Sequence, residues 1–233
     1  MIVQIYEVGS PAEAAALSWL GADHIGVLVG PGRFPGEIGF GEAGIIFAAV
    51  GPASKKVALT LSGDASEIEE TAGRLLPDIL HVGTLPERAG PADLLRVKRR
   101  MPHLKIMRSI AVTGEDCIDA AREYAGIADY LLLDTHLAGD SQIGATGETH
   151  DWGISRRIVS SVNIPSILAG GLGPDNVAEA IRLVRPAGVD SKTKTDLPDG
   201  SGKDLDKVRG FIQAARAAGE AFGPLPGERN TYL

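Results

Sequence analysis

Asp134 closes an apolar run, Tyr130–Leu133. It is followed by a loop carrying Gly144-Ala145-Thr146-Gly147 and by a helix start at Asp151-Trp152. A carboxylate at the C-terminal end of a buried strand, with a glycine-rich loop behind it, is how an α/β barrel sets a catalytic group at its mouth. A lone strand-end Asp reads equally well as a cap of the next loop. A second constellation lies further on. Ala169-Gly170-Gly171-Leu172-Gly173-Pro174 leads into a helical pattern, so free N–H groups and the helix dipole converge on one spot. Val189-Asp190-Ser191-Lys192-Thr193-Lys194-Thr195 adds hydroxyls and cations. Gly170, Gly171, Lys192, Thr193 and Lys194 therefore form a candidate phosphate site, because glycine lets a phosphate approach the backbone.

Other candidates are weaker. Arg33, in Gly30-Pro31-Gly32-Arg33-Phe34-Pro35, is placed to clamp a carboxylate or to stand as a solvated surface arginine. His81 falls inside a strand and reads as a satisfied core histidine unless it faces the mouth. The 5 histidines show no HxH or HExxH spacing, and the 1 cysteine, Cys117, sits in a helical pattern. No metal site is expected from such a set, and Cys117 reads as inert.

The elements that must carry these residues alternate along the whole chain. Strands are expected at Ile2–Tyr6, His24–Val29, Lys56–Leu61, Asp78–Val82, Lys105–Ile110, Tyr130–Asp134, Pro165–Leu168 and Gly188–Asp190. Helical patterns fall at Ala12–Leu20, Glu42–Val50, Asp64–Leu76, Pro91–Met101, Glu115–Tyr124, Trp152–Ser161, Pro174–Val184 and Leu205–Ala218. Strictly alternating strands and helices imply a parallel sheet. Repeats of this number in 233 residues suggest closure into a single (β/α)8 TIM barrel over residues 1–222. An open doubly wound sheet is the alternative. Gly223–Leu233, rich in Gly and Pro, reads as an exposed C-terminal extension.

Composition sets outer limits. Hydrophobic residues make up 44% and charged residues 23%, the ordinary balance of a globular chain. A net charge of -7 argues against a nucleic-acid partner, so an anionic ligand needs local positive charge. No apolar run approaches ~18 residues, so no membrane partner is expected. MIVQIYEVGSPAEAA lacks the basic and apolar regions of a secretion signal. A cytoplasmic location, a monomer or homodimer and a small phosphorylated substrate are the expectation.

Taken together, these motifs resemble the phosphoribosylanthranilate isomerase family of tryptophan biosynthesis over residues 2–216. The family's strand-six signature stands here as Leu132-Leu133-Asp134-Thr135, Gly144-Ala145-Thr146-Gly147 and His150-Asp151-Trp152. Its Ala-Gly-Gly-Leu-x-Pro-x-Asn-Val is Ala169 through Val177, and Gly188-Val189-Asp190, Gly202-Lys203-Asp204 and Gly21-Ala22-Asp23 with Gly26 also match. The resemblance implies a TIM barrel of the ribulose-phosphate-binding type that performs an Amadori rearrangement of an aminoaldose phosphate without metal or organic cofactor. It implies Asp134 as general acid, Arg33 at the anthranilate carboxylate, and Gly170-Gly171 around the phosphate. By the same resemblance Gly144, Thr146 and His81 fall at substrate-binding positions.

The chain departs from the family at the base. The family's strand-one Cys is replaced by Tyr6 in Gln4-Ile5-Tyr6-Glu7-Val8. Tyr6, with an unperturbed pKa near ~10, is a poor base. Glu7 is a better one, although a one-residue step along a strand normally points to the opposite face. The family's Gln-Leu-His-Gly becomes His81-Val82-Gly83-Thr84, and its Ser-Ser-Gly-Val-Glu region becomes Lys192-Thr193-Lys194-Thr195-Asp196. The expected function is an aldose–ketose isomerase on a phosphorylated sugar derivative. The alternatives are a paralogue doing enolisation, epimerisation or aldol chemistry, or a silent phosphometabolite-binding barrel.

Overall fold

The computed structural model describes residues 1–136, 143–144 and 147–221. Strands and helices alternate in the order β1 (Ile2–Ile5), α1 (Pro11–Leu20), β2 (His24–Leu28), α2 (Phe40–Ala48), β3 (Lys55–Thr60), α3 (Ala65–Leu75), β4 (Ile79–Val82) and α4 (Pro91–Arg100). They continue as β5 (Lys105–Ala111), α5 (Cys117–Ala125), β6 (Tyr130–Asp134), α6 (Trp152–Ser161), β7 (Ser166–Leu168), α7 (Val177–Val184), β8 (Gly188–Ser191) and α8 (Leu205–Glu220). Every neighbouring pair of strands is parallel, and β8 returns to β1, so the sheet closes into a barrel. The open-sheet alternative is thereby removed.

Closure explains the two apolar layers. A parallel strand covered on both faces sends alternate residues inward and outward. Outward residues such as Val3, Ile5, Leu80, Ile106, Leu131, Leu133 and Val189 pack under the helices. Inward residues Tyr6, Val57, Ile79, Met107, Leu132, Ile167 and Ala169 fill the barrel axis. Helix starts follow local chemistry. Ser10, Asp64, Asp151 and Asp204 each cap the helix behind them by accepting backbone N–H bonds.

Several boundaries differ from the sequence reading, and one matters. β1 stops at Ile5 rather than Tyr6, so Tyr6 and Glu7 belong to the barrel rim. α7 begins at Val177, three residues after Pro174, and a 3-10 turn, Thr193–Thr195, follows β8 where none was expected. Thr146 and the extension Gly223–Leu233 lie outside the described residues. Among the described residues no helix is long and apolar enough to cross a membrane.

Candidate active site

The C-terminal ends of the strands form one mouth. Its walls include Tyr6, Glu7, His81, Ser109, Asp134, Asp190 and Lys192. Asp134 ends β6, and its Oδ1 accepts the N–H of Thr135 at 2.7 Å. Withdrawal from water raises its carboxyl to a pKa of about 6. Gly144 presses on it from above, since a Cβ there would stand 2.1 Å from Asp134 Oδ2. The described residues just before α6 are tied to the end of β6 and to α6. Thr135 Oγ1 donates to Glu148 O at 2.7 Å, and His150 Nε2 shares a 2.7 Å hydrogen bond with Ser155 Oγ.

The phosphate candidates gather beside it. Gly147, Gly170, Gly171, Lys192, Thr193 and Lys194 line a cleft that Asp134 and Asp190 also border. Gly171 takes φ +60°, and a Cβ on it would come within 2.8 Å of Gly147 O and of the Glu148 carbonyl carbon. Only glycine fits there without displacing backbone. Asn176 locks the turn: its Oδ1 accepts from Gly173 N at 2.8 Å and its Nδ2 donates to Gly171 O at 3.0 Å.

The rim of β1 is built differently. Tyr6 is buried and its ring lies on Gly26, where a Cβ would stand 2.0 Å from the ring. Tyr6 Oη shares a 2.7 Å hydrogen bond with His81 Nδ1, and His81 Nε2 shares another of 2.7 Å with Ser109 Oγ. Burial, with Arg108 as a further cause, drives His81 down to a pKa of about 3. Burial first, then the charge of Asp190, drives Tyr6 well above its ordinary value. Both shifts favour the neutral forms of the two side chains. His81 faces the mouth, so it is not a residue of the outer core.

Glu7 has a backbone φ of +27°, an unusual conformation for a residue with a side chain. The ladder has ended two residues earlier, at Ile5, so this bend carries the Glu7 carboxylate into the mouth. Burial raises its pKa, opposed by Lys192 and Lys203. The Lys192 ammonium stands 3.7 Å from Glu7 Oε2 and 3.7 Å from Asp196 Oδ2.

Arg33 is not brought to these groups. Its guanidinium makes a bidentate pair with Glu67 of α3, at 2.8 and 2.5 Å, beside a separate cavity of about 290 Å³ walled by Phe34, Phe40, Thr60 and Ser62. Cys117 is buried at the start of α5, with its Sγ 2.9 Å from Gly114 O, away from the mouth. Sequence reasoning passed over Asp190 as a site residue. It is only 7% exposed, its Oδ1 has no hydrogen-bond partner among the described residues, and burial and nearby Asp134 hold its carboxyl well above the usual range. The signal was available. Asp190 is the inward position of β8, two residues beyond Gly188, in register with Gln4. Ser109 was likewise readable as an inward position of β5, two residues beyond Met107.

Comparisons with known proteins agree with this architecture. The profile of the family described as N-(5'phosphoribosyl)anthranilate (PRA) isomerase matches residues 90–214, just over half of the chain. An N-(5'-phosphoribosyl)anthranilate isomerase of Methanocella arvoryzae is 35% identical over 92% of this chain and 97% of its own length. That of Haloferax volcanii is 36% identical over 93% of each. Among solved structures, phosphoribosyl anthranilate isomerase from Thermotoga maritima superposes with a TM-score of 0.77 at 24% identity, covering 93% of this chain and all of its own. Another such isomerase, solved with reduced 1-(o-carboxyphenylamino)-1-deoxyribulose 5-phosphate, gives 0.74 at 23% identity, covering 93% of this chain and 100% of its own. At that identity the structures speak for the fold. Nothing in these matches favours the epimerase, aldolase or silent-barrel alternatives.

Proposed function

This chain belongs to the N-(5'-phosphoribosyl)anthranilate isomerase family, and from that membership and the mouth geometry we propose that it isomerises phosphoribosylanthranilate with Asp134 as acid and Glu7 as base. The chain is an isomerase of this type, acting on a phosphoribosyl sugar derivative in tryptophan biosynthesis. The single observation that carries the residue assignment is that Asp134 and Glu7 wall one cavity from β6 and from the end of β1.

Their environments suit opposite roles. An Amadori rearrangement needs a proton delivered to the ring oxygen, which opens the sugar to an imine, and a proton removed from C2. Asp134, lifted to about 6, carries a proton into the neutral range far more often than an ordinary Asp. Glu7 is raised by burial yet restrained by Lys192, so it remains a carboxylate with strengthened basicity. Gly170, Gly171, Thr193 and Lys194 cradle the phosphate, and Gly144 stands against Asp134 beside the reacting carbons. Asp190 Oδ1, buried and unpartnered on the floor, receives a sugar hydroxyl. His81, held between Tyr6 and Ser109, presents a neutral imidazole to the substrate. Arg33, paired with Glu67 beside a separate cavity, takes no part in this assignment.

Turnover of freshly prepared phosphoribosylanthranilate tests the reading. Wild type is expected to convert it, with Asp134→Asn and Glu7→Gln both crippled. Full turnover in Glu7→Gln sinks the base assignment. The same preparation, sedimented and fractionated, tests the accompanying expectation of a cytoplasmic monomer or homodimer.

A further inference from the structure

Lys192 lies where the two halves of the site share a wall. It lines the phosphate cleft with Gly170, Gly171, Thr193 and Lys194, and it also lines the mouth with Glu7 and Asp134. Its ammonium is loosely held. Both of its carboxylate contacts, Glu7 Oε2 and Asp196 Oδ2, are 3.7 Å long, beyond hydrogen-bond range. Asp196 is already committed elsewhere: its Oδ1 pairs with Lys203, whose side chain is 1% exposed. So Asp196 is fixed by Lys203, while Lys192 is a long, half-exposed cation between a weak anchor and Glu7.

We propose that Lys192 is a substrate-triggered shuttle, holding Glu7 as a carboxylate in the free enzyme and turning to the phosphate when substrate binds. The inference rests on the reading of Glu7 as base and of the glycine loops as phosphate site. A dianion in the cleft offers Lys192 a stronger partner than a single carboxylate 3.7 Å away. Its departure leaves Glu7 facing Asp190 and Asp196, with Lys203 as the remaining cation. Glu7 then becomes a stronger base when, and only when, a phosphorylated ligand is seated. The phosphate thus acts on the chemical step as well as on binding. Lys192 is in this sense a positioning residue that acts through Glu7.

Titration of Glu7 by carbon NMR, with the signal assigned by Glu7→Gln, tests this with inorganic phosphate as the probe. The Glu7 midpoint in wild type is expected to rise by about one pH unit at saturating phosphate, the size of effect one opposite charge exerts at this range. In Lys192→Met it should start at the higher value and move by less than half as much, with phosphate binding checked by phosphorus NMR. Lys192→Arg should behave as wild type, and Lys192→Gln serves if the Met variant fails to fold. An unmoved midpoint in wild type overturns the proposal, as does an equal movement in Lys192→Met, which would assign the effect to the phosphate's own charge. The kinetic counterpart is that the acid limb of kcat/KM, but not of kcat, shifts upward in Lys192→Met. Full turnover by Glu7→Gln would instead remove the base reading beneath it, so the two failures are told apart.

Discussion

The two sides of the mouth solve their problems by different means. On the β6–β7 side, Asp134, Gly144, Gly170 and Gly171 form a surface made largely of backbone, with one carboxyl withdrawn from water. On the β1–β8 side, Tyr6, Glu7, Lys192, Asp196 and Lys203 form a network of side chains that hold one another. The family motif survives on the first side and is rewritten on the second. The physical reason is that a glycine at φ +60° with backbone 2.8 Å from its would-be Cβ has no substitute. A charge network can exchange members so long as the field at the reacting carbon is kept. The glycine framework of the family is thus kept on one half of the site, and the side chains particular to this chain, Tyr6, Glu7 and Lys192, lie on the other.

The sharpest test of the first side is Asp134→Asn, which should lower kcat by ~10³-fold, the middle of the range for general acid–base catalysis. The same variant should be more stable at neutral pH. Asp134 has its folded-state pKa raised from 3.8 to about 6, so ionising it costs the folded state stability. That cost is absent below the unfolded value, grows as pH passes from about 4 to about 6, and is complete above, amounting to about 2–3 kcal/mol. Asn, always neutral, escapes it. Thermal melts should show Asp134→Asn above wild type at pH 7.5 and level with it at pH 3.5. A variant level with wild type at pH 7.5 as well as at pH 3.5 would show that the carboxylate is not desolvated.

On the second side, Glu7→Gln should cost on the order of 10²-fold in kcat. A smaller loss than for Asp134→Asn would place the rewritten side as the more replaceable of the two. An equal loss would mean that both carboxyls are indispensable despite their different histories. Gly171→Ala separates backbone from side chain again. Strain of about 2 kcal/mol at the left-handed position, with displacement of the Gly147–Glu148 backbone, should lower kcat/KM by about 30-fold. Most of that should lie in KM, because the phosphate cradle rather than the acid is disturbed. Steady-state kinetics on the two variants decides it.

Legibility follows the same division. Asp134 and Gly170–Gly171 were readable because strand-end position and glycine spacing are local properties of the chain. The barrel was readable because alternation runs its whole length. Glu7 was not placed by period-two reasoning, since β1 ends at Ile5 and a left-handed backbone re-aims the next carboxylate. Nor was the state of Arg33, whose partner Glu67 lies 34 residues on. The unpartnered oxygen of Asp190 is a property of the closed barrel and has no counterpart in any short window of sequence. What stayed hidden was a local turn of the backbone at Glu7 and, at Arg33 and Asp190, the meeting of parts of the chain far apart in sequence.

Tyr6→Phe should have the smallest effect, and it sharpens the comparison most directly because Tyr6 occupies the family's cysteine position. A base at that position would lose its reactive atom in the Phe variant, and kcat would collapse. A neutral, buried phenol held by His81 does no proton transfer, so kcat should stay within about threefold. The loss should appear in stability instead. Removing Oη leaves His81 Nδ1 buried without its 2.7 Å partner, at a cost of about 1–3 kcal/mol. Phe keeps the ring on Gly26, so packing is preserved and the melt reports the hydrogen bond alone. A denaturant midpoint that falls while kcat holds would establish that the rewritten side moved its base one residue along and left a structural plug behind. A collapse of kcat with unchanged stability would return the base to Tyr6 and undo the contrast between the two sides.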